Sequence, residues 1–214
     1  MAARVKICGL TRPEDAEVAA EAGAAFLGVV FAGGPRVVTP AQAAEVVSGA
    51  GGIPVLGVFG TQTGSDILST VERAGLTGAQ LHGPHTMATA ARLRAAGLQV
   101  WRVVRIASAA DLEQVAGSEL EADAVLVEPR VPHADGGTGT PLDLELARAA
   151  RARLAGPMVL AGGLTPATVA NARDLVRPEV LDVSSGVERL PGIKDPKLIA
   201  RFLEAALGHS PTIP

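Results

Sequence analysis

The chain has no tyrosine, one tryptophan (Trp101) and four phenylalanines, so aromatic residues make up only 2% of its 214 residues. A core of that composition must be filled by Ala, Val, Leu and Ile, which suit buried parallel strands and barrel interiors. The single cysteine, Cys8, excludes an intramolecular disulfide framework and any cysteine-based zinc site. It fits a reducing, cytoplasmic setting. No apolar run approaches the length of a membrane span, and the opening MAARVKICGL lacks the apolar stretch of a signal peptide. Basic blocks and aromatic-interleaved basic patches are missing too, and the formal net charge is −3. Neither nucleic acid nor a membrane is therefore an expected partner. There is no G-x-G-x-x-G fingerprint and no P-loop lysine motif. His82 and His85 form an H-x-x-H, but Gly83 and Pro84 between them oppose a helix presenting both on one face. With no third ligand in view, no metal site is expected.

What is present is an alternation. Short Val-rich runs lie at 4–8, 26–31, 54–59, 78–82, 99–106, 123–127, 157–161 and 180–184. Each is too short for a helix and rich in β-branched residues, as strands are. Eight such runs alternate with helical segments, also counted as eight. These include 13–23, 40–51, 87–97, 111–117, 142–156, 165–176 and a last one near 195–207. The first opens with Pro13 and acids and closes with Gly23; several others end in glycine, and Thr165 is placed as an N-cap. Strict β–α alternation means a parallel sheet. Eight units in about 200 residues fit a minimal (β/α)8 TIM barrel better than an open doubly wound sheet. No linker splits the chain, so the expectation is a single domain over 1–207 with a frayed tail at 208–214.

In such a barrel the active site lies at the carboxyl ends of the strands, and there the polar residues and glycines collect. Cys8 follows the first strand, Arg36 the second, His82 the fourth, Arg105 the fifth and Glu128 the sixth; Asp182 stands near the end of the eighth. Cys8 taken alone reads as a small buried hydrophobe sooner than as a reactive thiol. Arg36 suits a substrate carboxylate or phosphate, or is a surface charge. Asp182, inside an apolar strand, needs a donor. Gly162 and Gly163 after the seventh strand, with Ser184, Ser185 and Gly186 after the eighth, supply backbone N–H groups and hydroxyls for a phosphate. The bland alternative is that these glycines only make tight turns. Gly136, Gly137, Thr138 and Gly139, in the long loop after the sixth strand, read as a lid over the site or as an ordinary flexible loop.

The order of motifs is more specific than any one of them. KICGLT, GVVFAGGPR, GVF, QLHG, GGTG, LAGGLTP and LDVSSGVE followed by PGIKD run the length of the chain. In that order they resemble the phosphoribosylanthranilate isomerase family of tryptophan biosynthesis. The resemblance implies a (β/α)8 barrel, no cofactor, and a small phosphorylated substrate that undergoes an Amadori rearrangement. It implies Cys8 as general base, Arg36 on the anthranilate carboxylate, Asp182 on the anthranilate N–H, His82 beside the substrate, and the two glycine–serine loops on the phosphate.

The family's acid is an aspartate where this chain has Glu128. Three readings follow: Glu128 serves with a compensating backbone shift, Asp135 takes over, or the barrel binds phosphorylated ligands without isomerising them. The first is favoured. Loop six also ends GGTGT, where the resemblance leads to the expectation of a lysine. A histidine-pathway isomerase is disfavoured, since it would use aspartates as both acid and base. A polar helical exterior suits a monomer over a homodimer.

Overall fold

A computed structural model describes residues 3–131 and 140–208. Eight parallel strands close into a barrel in sequence order: β1 (Arg4–Ile7), β2 (Phe26–Val30), β3 (Val55–Phe59), β4 (Gly78–Leu81), β5 (Gln99–Ile106), β6 (Ala124–Pro129), β7 (Met158–Leu160) and β8 (Val180–Val183). Closure comes from β1 pairing with β8, where Lys6 stands opposite Asp182. The outer layer is α1 (Pro13–Glu21), α2 (Pro40–Ser48), α3 (Gly64–Ala74), α4 (Met87–Ala95), α5 (Leu144–Arg151), α6 (Val169–Val176) and α7 (Pro196–Leu207).

Local chemistry starts these helices where the sequence allows. Pro13 opens α1 with Glu14 and Asp15 in its first turn, which complements the positive end of the helix dipole. Thr39 with Gln42, and Thr63 with Asp66, form reciprocal capping boxes on α2 and α3.

Two helical expectations are corrected. The segment predicted as a helix at 111–117 is a 3-10 helix over Ala109–Gln114, so the connection from β5 to β6 carries no α-helix. Thr165 does not cap α6 directly. That helix starts at Val169 behind Thr168, which bonds back to Thr165.

The period-2 alternation of each strand sorts side chains between two apolar shells. Outward residues such as Val5, Ile7, Leu27, Val125 and Val127 pack under the helices. Inward residues fill the barrel: Phe26, Leu56, Trp101, Leu126, Val159 and Val180. The chain's one tryptophan sits there, 1% exposed, with Phe26 edge-on at 5.0 Å between ring centroids. This plugs the barrel so that the chemistry above it has a dry floor. Climbing the inward faces, β1 runs Lys6 to Cys8, β4 runs Gln80 to His82, β6 runs Leu126 to Glu128, and β8 runs Asp182 to Ser184. The apolar plug is therefore topped by a polar layer, and that layer by the mouth.

After β8 the chain makes a 3-10 turn (Ser185–Val187) and a two-stranded antiparallel ribbon, β9 (Glu188–Leu190) and β10 (Ile193–Lys194). The ribbon pairs Glu188 with Lys194 and lays both against the mouth.

Candidate active site

A pocket of about 370 Å³ opens at the carboxyl ends of the strands. Cys8, Arg36, His82, Glu128, Gly162, Gly163, Asp182, Ser184 and Ser185 all line it. The structure thus brings together nearly every residue that the sequence nominated. Gly186 packs behind the wall instead: a Cβ there would meet the Leu164 carbonyl oxygen at 1.9 Å. Its bare backbone lets the turn after β8 press against the loop after β7. Gly136, Gly137, Thr138 and Gly139, like Asp135, lie outside the described residues.

Beneath the mouth lies Lys6, fully buried. Its ammonium donates to Asp182 Oδ1 at 2.9 Å and to Gln80 Oε1 at 3.1 Å, and stands 5.7 Å from the centre of the Trp101 ring. The donor that Asp182 needs is therefore a buried lysine. Burial alone would lower the Lys6 pKa, but the charges and hydrogen bonds of Asp182 and Cys8 outweigh it and push it up to about 12. Asp182 and Lys6 are a buried ion pair fixed by strand register, a geometry in which removing one partner strands the other's charge.

Cys8 is 7% exposed, and its backbone N–H is tied to the Val183 carbonyl at 2.8 Å. Burial pushes the thiol up; Asp182 adds to the rise, while Lys6 and Lys194 oppose it. The next residue, Gly9, has φ +72°, and a Cβ there would lie 2.5 Å from Arg36 Cδ and 2.7 Å from Ser184 Oγ. Only glycine lets the Arg36 side chain cross the top of β1.

Arg36 does not project freely over the mouth. Its Nε and Nη2 donate to the two carboxylate oxygens of Glu188 at 2.8 and 2.7 Å, a bidentate pair. Glu188 Oε1 also accepts from Lys194 Nζ at 2.8 Å and from the Gly192 N–H at 3.2 Å. Burial would raise the Glu188 carboxyl, but the Arg36 hydrogen bonds and the Lys194 charge hold it below the usual carboxylate range. Lys194 is 1% exposed and also donates to the Ser184 carbonyl at 3.1 Å. Its pKa is lowered by burial, with Glu188 opposing and Arg36 adding to the fall.

Across the pocket, Glu128 is 8% exposed at the end of β6. Its Oε1 accepts from Arg105 Nε at 2.8 Å and lies 3.3 Å from His82 Nε2. Arg105 is anchored in turn on the His82 carbonyl at 3.2 Å. The longer glutamate side chain is thus held at its tip by the ends of β4 and β5. Among the described residues no group of three His, Cys, Asp or Glu side chains could hold a metal ion.

Sequence reasoning assigned no role to Lys6, Glu188 or Lys194. Lys6 left one signal, since it shares the inward face of β1 with Cys8. Glu188 and Lys194 meet only because of a five-residue ribbon, which no periodicity marks.

Residues 5–205 match the family model of N-(5'phosphoribosyl)anthranilate (PRA) isomerase. The N-(5'-phosphoribosyl)anthranilate isomerase of Rubrobacter xylanophilus is 41% identical over 207 residues, covering 95% of this chain and 98% of that one. The crystal structure of phosphoribosyl anthranilate isomerase from Thermotoga maritima superposes with a TM-score of 0.87 at 34% identity, covering 96% and 99% of the two chains. Another crystal structure is of a phosphoribosyl anthranilate isomerase in complex with reduced 1-(o-carboxyphenylamino)-1-deoxyribulose 5-phosphate. It matches with a TM-score of 0.85 at 32% identity, covering 96% and 99%. By this match along nearly its whole length, the chain belongs to the N-(5'-phosphoribosyl)anthranilate isomerase family.

Proposed function

We propose that this pocket performs the Amadori rearrangement of N-(5-phosphoribosyl)anthranilate to 1-(2-carboxyphenylamino)-1-deoxyribulose 5-phosphate in tryptophan biosynthesis, with Cys8 as base and Glu128 as acid. The observation that carries the assignment is the placement of these two groups. They line one pocket from β1 and β6, three strands apart round the ring, with the glycine and serine loops after β7 and β8 between them. A sugar phosphate anchored on those loops has one proton-transfer group at each side.

Glu128 protonates the ribose ring oxygen, and the ring opens to a Schiff base. Cys8, as thiolate, then removes the C2′ proton to give an enolamine, which tautomerises to the ketone. Each transfer needs the group within hydrogen-bond reach of the moving proton. His82 Nε2, 3.3 Å from Glu128 Oε1, is placed to return a proton to the acid. Arg36 takes the anthranilate carboxylate through Nη1, while Glu188 holds Nε and Nη2. Asp182 accepts the anthranilate N–H through the carboxylate oxygen that Lys6 does not hold. The phosphate sits on backbone N–H groups around Gly162 and Gly163 and on the hydroxyls of Ser184 and Ser185.

The chain is read as a cytoplasmic monomer, since large exposed apolar side chains among the described residues are limited to Val37, Leu120 and Leu190. A related crystal structure is of monomers generated from a dimeric isomerase of Thermotoga maritima, so light scattering decides this point. The function itself is tested with freshly generated phosphoribosylanthranilate. Loss of its fluorescence with formation of the carboxyphenylamino ketose is expected; a folded, phosphate-binding protein without turnover overturns the proposal.

A further inference from the structure

The mechanism asks a buried thiol to work as a thiolate, and burial opposes that. The pocket wall around Cys8 contains an answer in its charges. On the floor stand Lys6 and Asp182; on the β9–β10 side stand Arg36, Lys194 and Glu188. Three cations are gathered with two carboxylates. Glu128 and Arg105 form their own pair on the far side, beside His82. Among the described residues, Asp15, which accepts from the Lys194 backbone N–H, is matched by Arg12, so the charges on the Cys8 side are one anion short, and the thiol is the ionisable group standing among them.

Lys6 is the cation best placed to hold that anion. An ammonium has three N–H donors in a roughly tetrahedral array. Two are committed, to Asp182 and Gln80, which leaves one. Gly28 on β2 shows where the remaining space lies. A Cβ on its inward face would come 2.9 Å from Cys8 Sγ, 3.0 Å from Lys6 Cε and 3.1 Å from Lys6 Nζ. Sulfur and ammonium flank the same bare glycine, with no side chain between them. Lys6 is fully buried and the Trp101 ring lies 5.7 Å from its ammonium, so the pair is little screened from below.

We propose that Lys6 is a positioning residue for the base: its ammonium, pinned beneath the pocket by Asp182 and Gln80, turns its third N–H to the Cys8 sulfur and stabilises the thiolate when it forms. Asp182 then has two opposed effects. It fixes Lys6 in place, and it repels the thiolate. Lys194 and Arg36, engaged by Glu188, act on the sulfur from farther off and more weakly. The inference rests on Cys8 being the base, but its test does not depend on turnover.

Composition makes that test direct. Cys8 is the only thiol and the chain has no tyrosine, so thiolate absorbance near 240 nm titrates this one group with no tyrosinate rising beside it. Lys6→Met is expected to move the ionisation midpoint up by about one to three pH units, the range for loss of an adjacent opposite charge. Lys6→Arg is expected to recover most of the shift. Asp182→Asn is expected to move the midpoint down, because the neutral amide no longer repels the sulfur. Should Lys6→Met fail to fold, Lys6→Gln, which keeps a polar head in the place of the charge, is titrated instead. A midpoint unchanged in folded Lys6→Met or Lys6→Gln overturns the proposal. Turnover of Cys8→Ser separates the two ideas. An active Cys8→Ser enzyme removes the base assignment while leaving the titration result standing.

Discussion

Replacing Glu128 by the family's aspartate is the sharpest perturbation of this site. The glutamate tip is held by Arg105 Nε at 2.8 Å and faces His82 Nε2 at 3.3 Å. Removing one methylene draws the carboxyl back by roughly 1.5 Å, one carbon–carbon bond. The Arg105 contact then opens to roughly 4 Å, beyond hydrogen-bond range. Arg105 cannot simply follow, since its other end is fixed on the His82 carbonyl. A misplacement of about 1 Å in a reacting group costs on the order of 10²-fold in rate, or about 2.7 kcal/mol of barrier. Glu128→Asp is therefore expected to lower kcat about a hundredfold with little change in KM, because the phosphate loops and Arg36 are untouched. Glu128→Gln keeps the length but has no proton to give, and should lose about 10²–10⁴-fold. The assay is the fluorescence decay of phosphoribosylanthranilate under steady-state conditions. A Glu128→Asp enzyme as fast as the wild type would refute the reasoning about reach. A Glu128→Gln enzyme retaining a sizeable fraction of the rate would move the acid elsewhere, with Asp135 the next residue to replace.

Other outcomes follow from the same contacts. Glu188→Gln loosens the bidentate hold on Arg36 and should raise KM more than it lowers kcat; an unchanged KM would mean that Arg36 is not fixed by this pair. Because the folded Glu188 carboxyl lies below its unfolded value, it contributes stability above the ordinary carboxylate range and loses it as pH falls through the folded value. Thermal melts should show the gap between wild type and Glu188→Gln shrinking on acidification, and a pH-independent gap would contradict this. Cys8 has the opposite sign. Its raised thiol favours the folded state below the ordinary thiol range and loses that effect as pH rises, while kcat/KM climbs with the thiolate. Loss of the acid's proton gives such a profile a falling limb as well, so it is the absence of any rising limb in a protein still folded that would count against Cys8 as base. Gly28→Ala puts a methyl within 3.1 Å of both Cys8 Sγ and Lys6 Nζ, and is expected to cut turnover sharply while the barrel still forms, as read by circular dichroism.

The barrel was legible because most strands are short runs rich in Val and Leu whose inward and outward residues are mainly apolar below the mouth, as buried parallel strands are. The helix expected at 111–117 failed for a local reason. Asp111 accepts from the backbone N–H groups of Ala107 and Ser108, a cap that starts a tight 3-10 turn as readily as an α-helix. At the site, residues just after strand ends were found because the fold itself fixes that position. Lys6 was hidden because a buried lysine looks, in sequence, like the polar half of an alternating strand. Glu188 and Lys194 were hidden because their meeting depends on a short ribbon held by two backbone pairings. Glutamate for aspartate at 128 was visible as a departure, but its consequence depends on Arg105 and His82, which only three dimensions bring to its tip.

The most direct measurement of the account's central claim is turnover of phosphoribosylanthranilate by wild type and Cys8→Ser side by side. The account expects rapid conversion by the wild type and a loss of about 10²–10⁴-fold in Cys8→Ser, with substrate-analogue binding retained. Near-normal turnover by Cys8→Ser would contradict it.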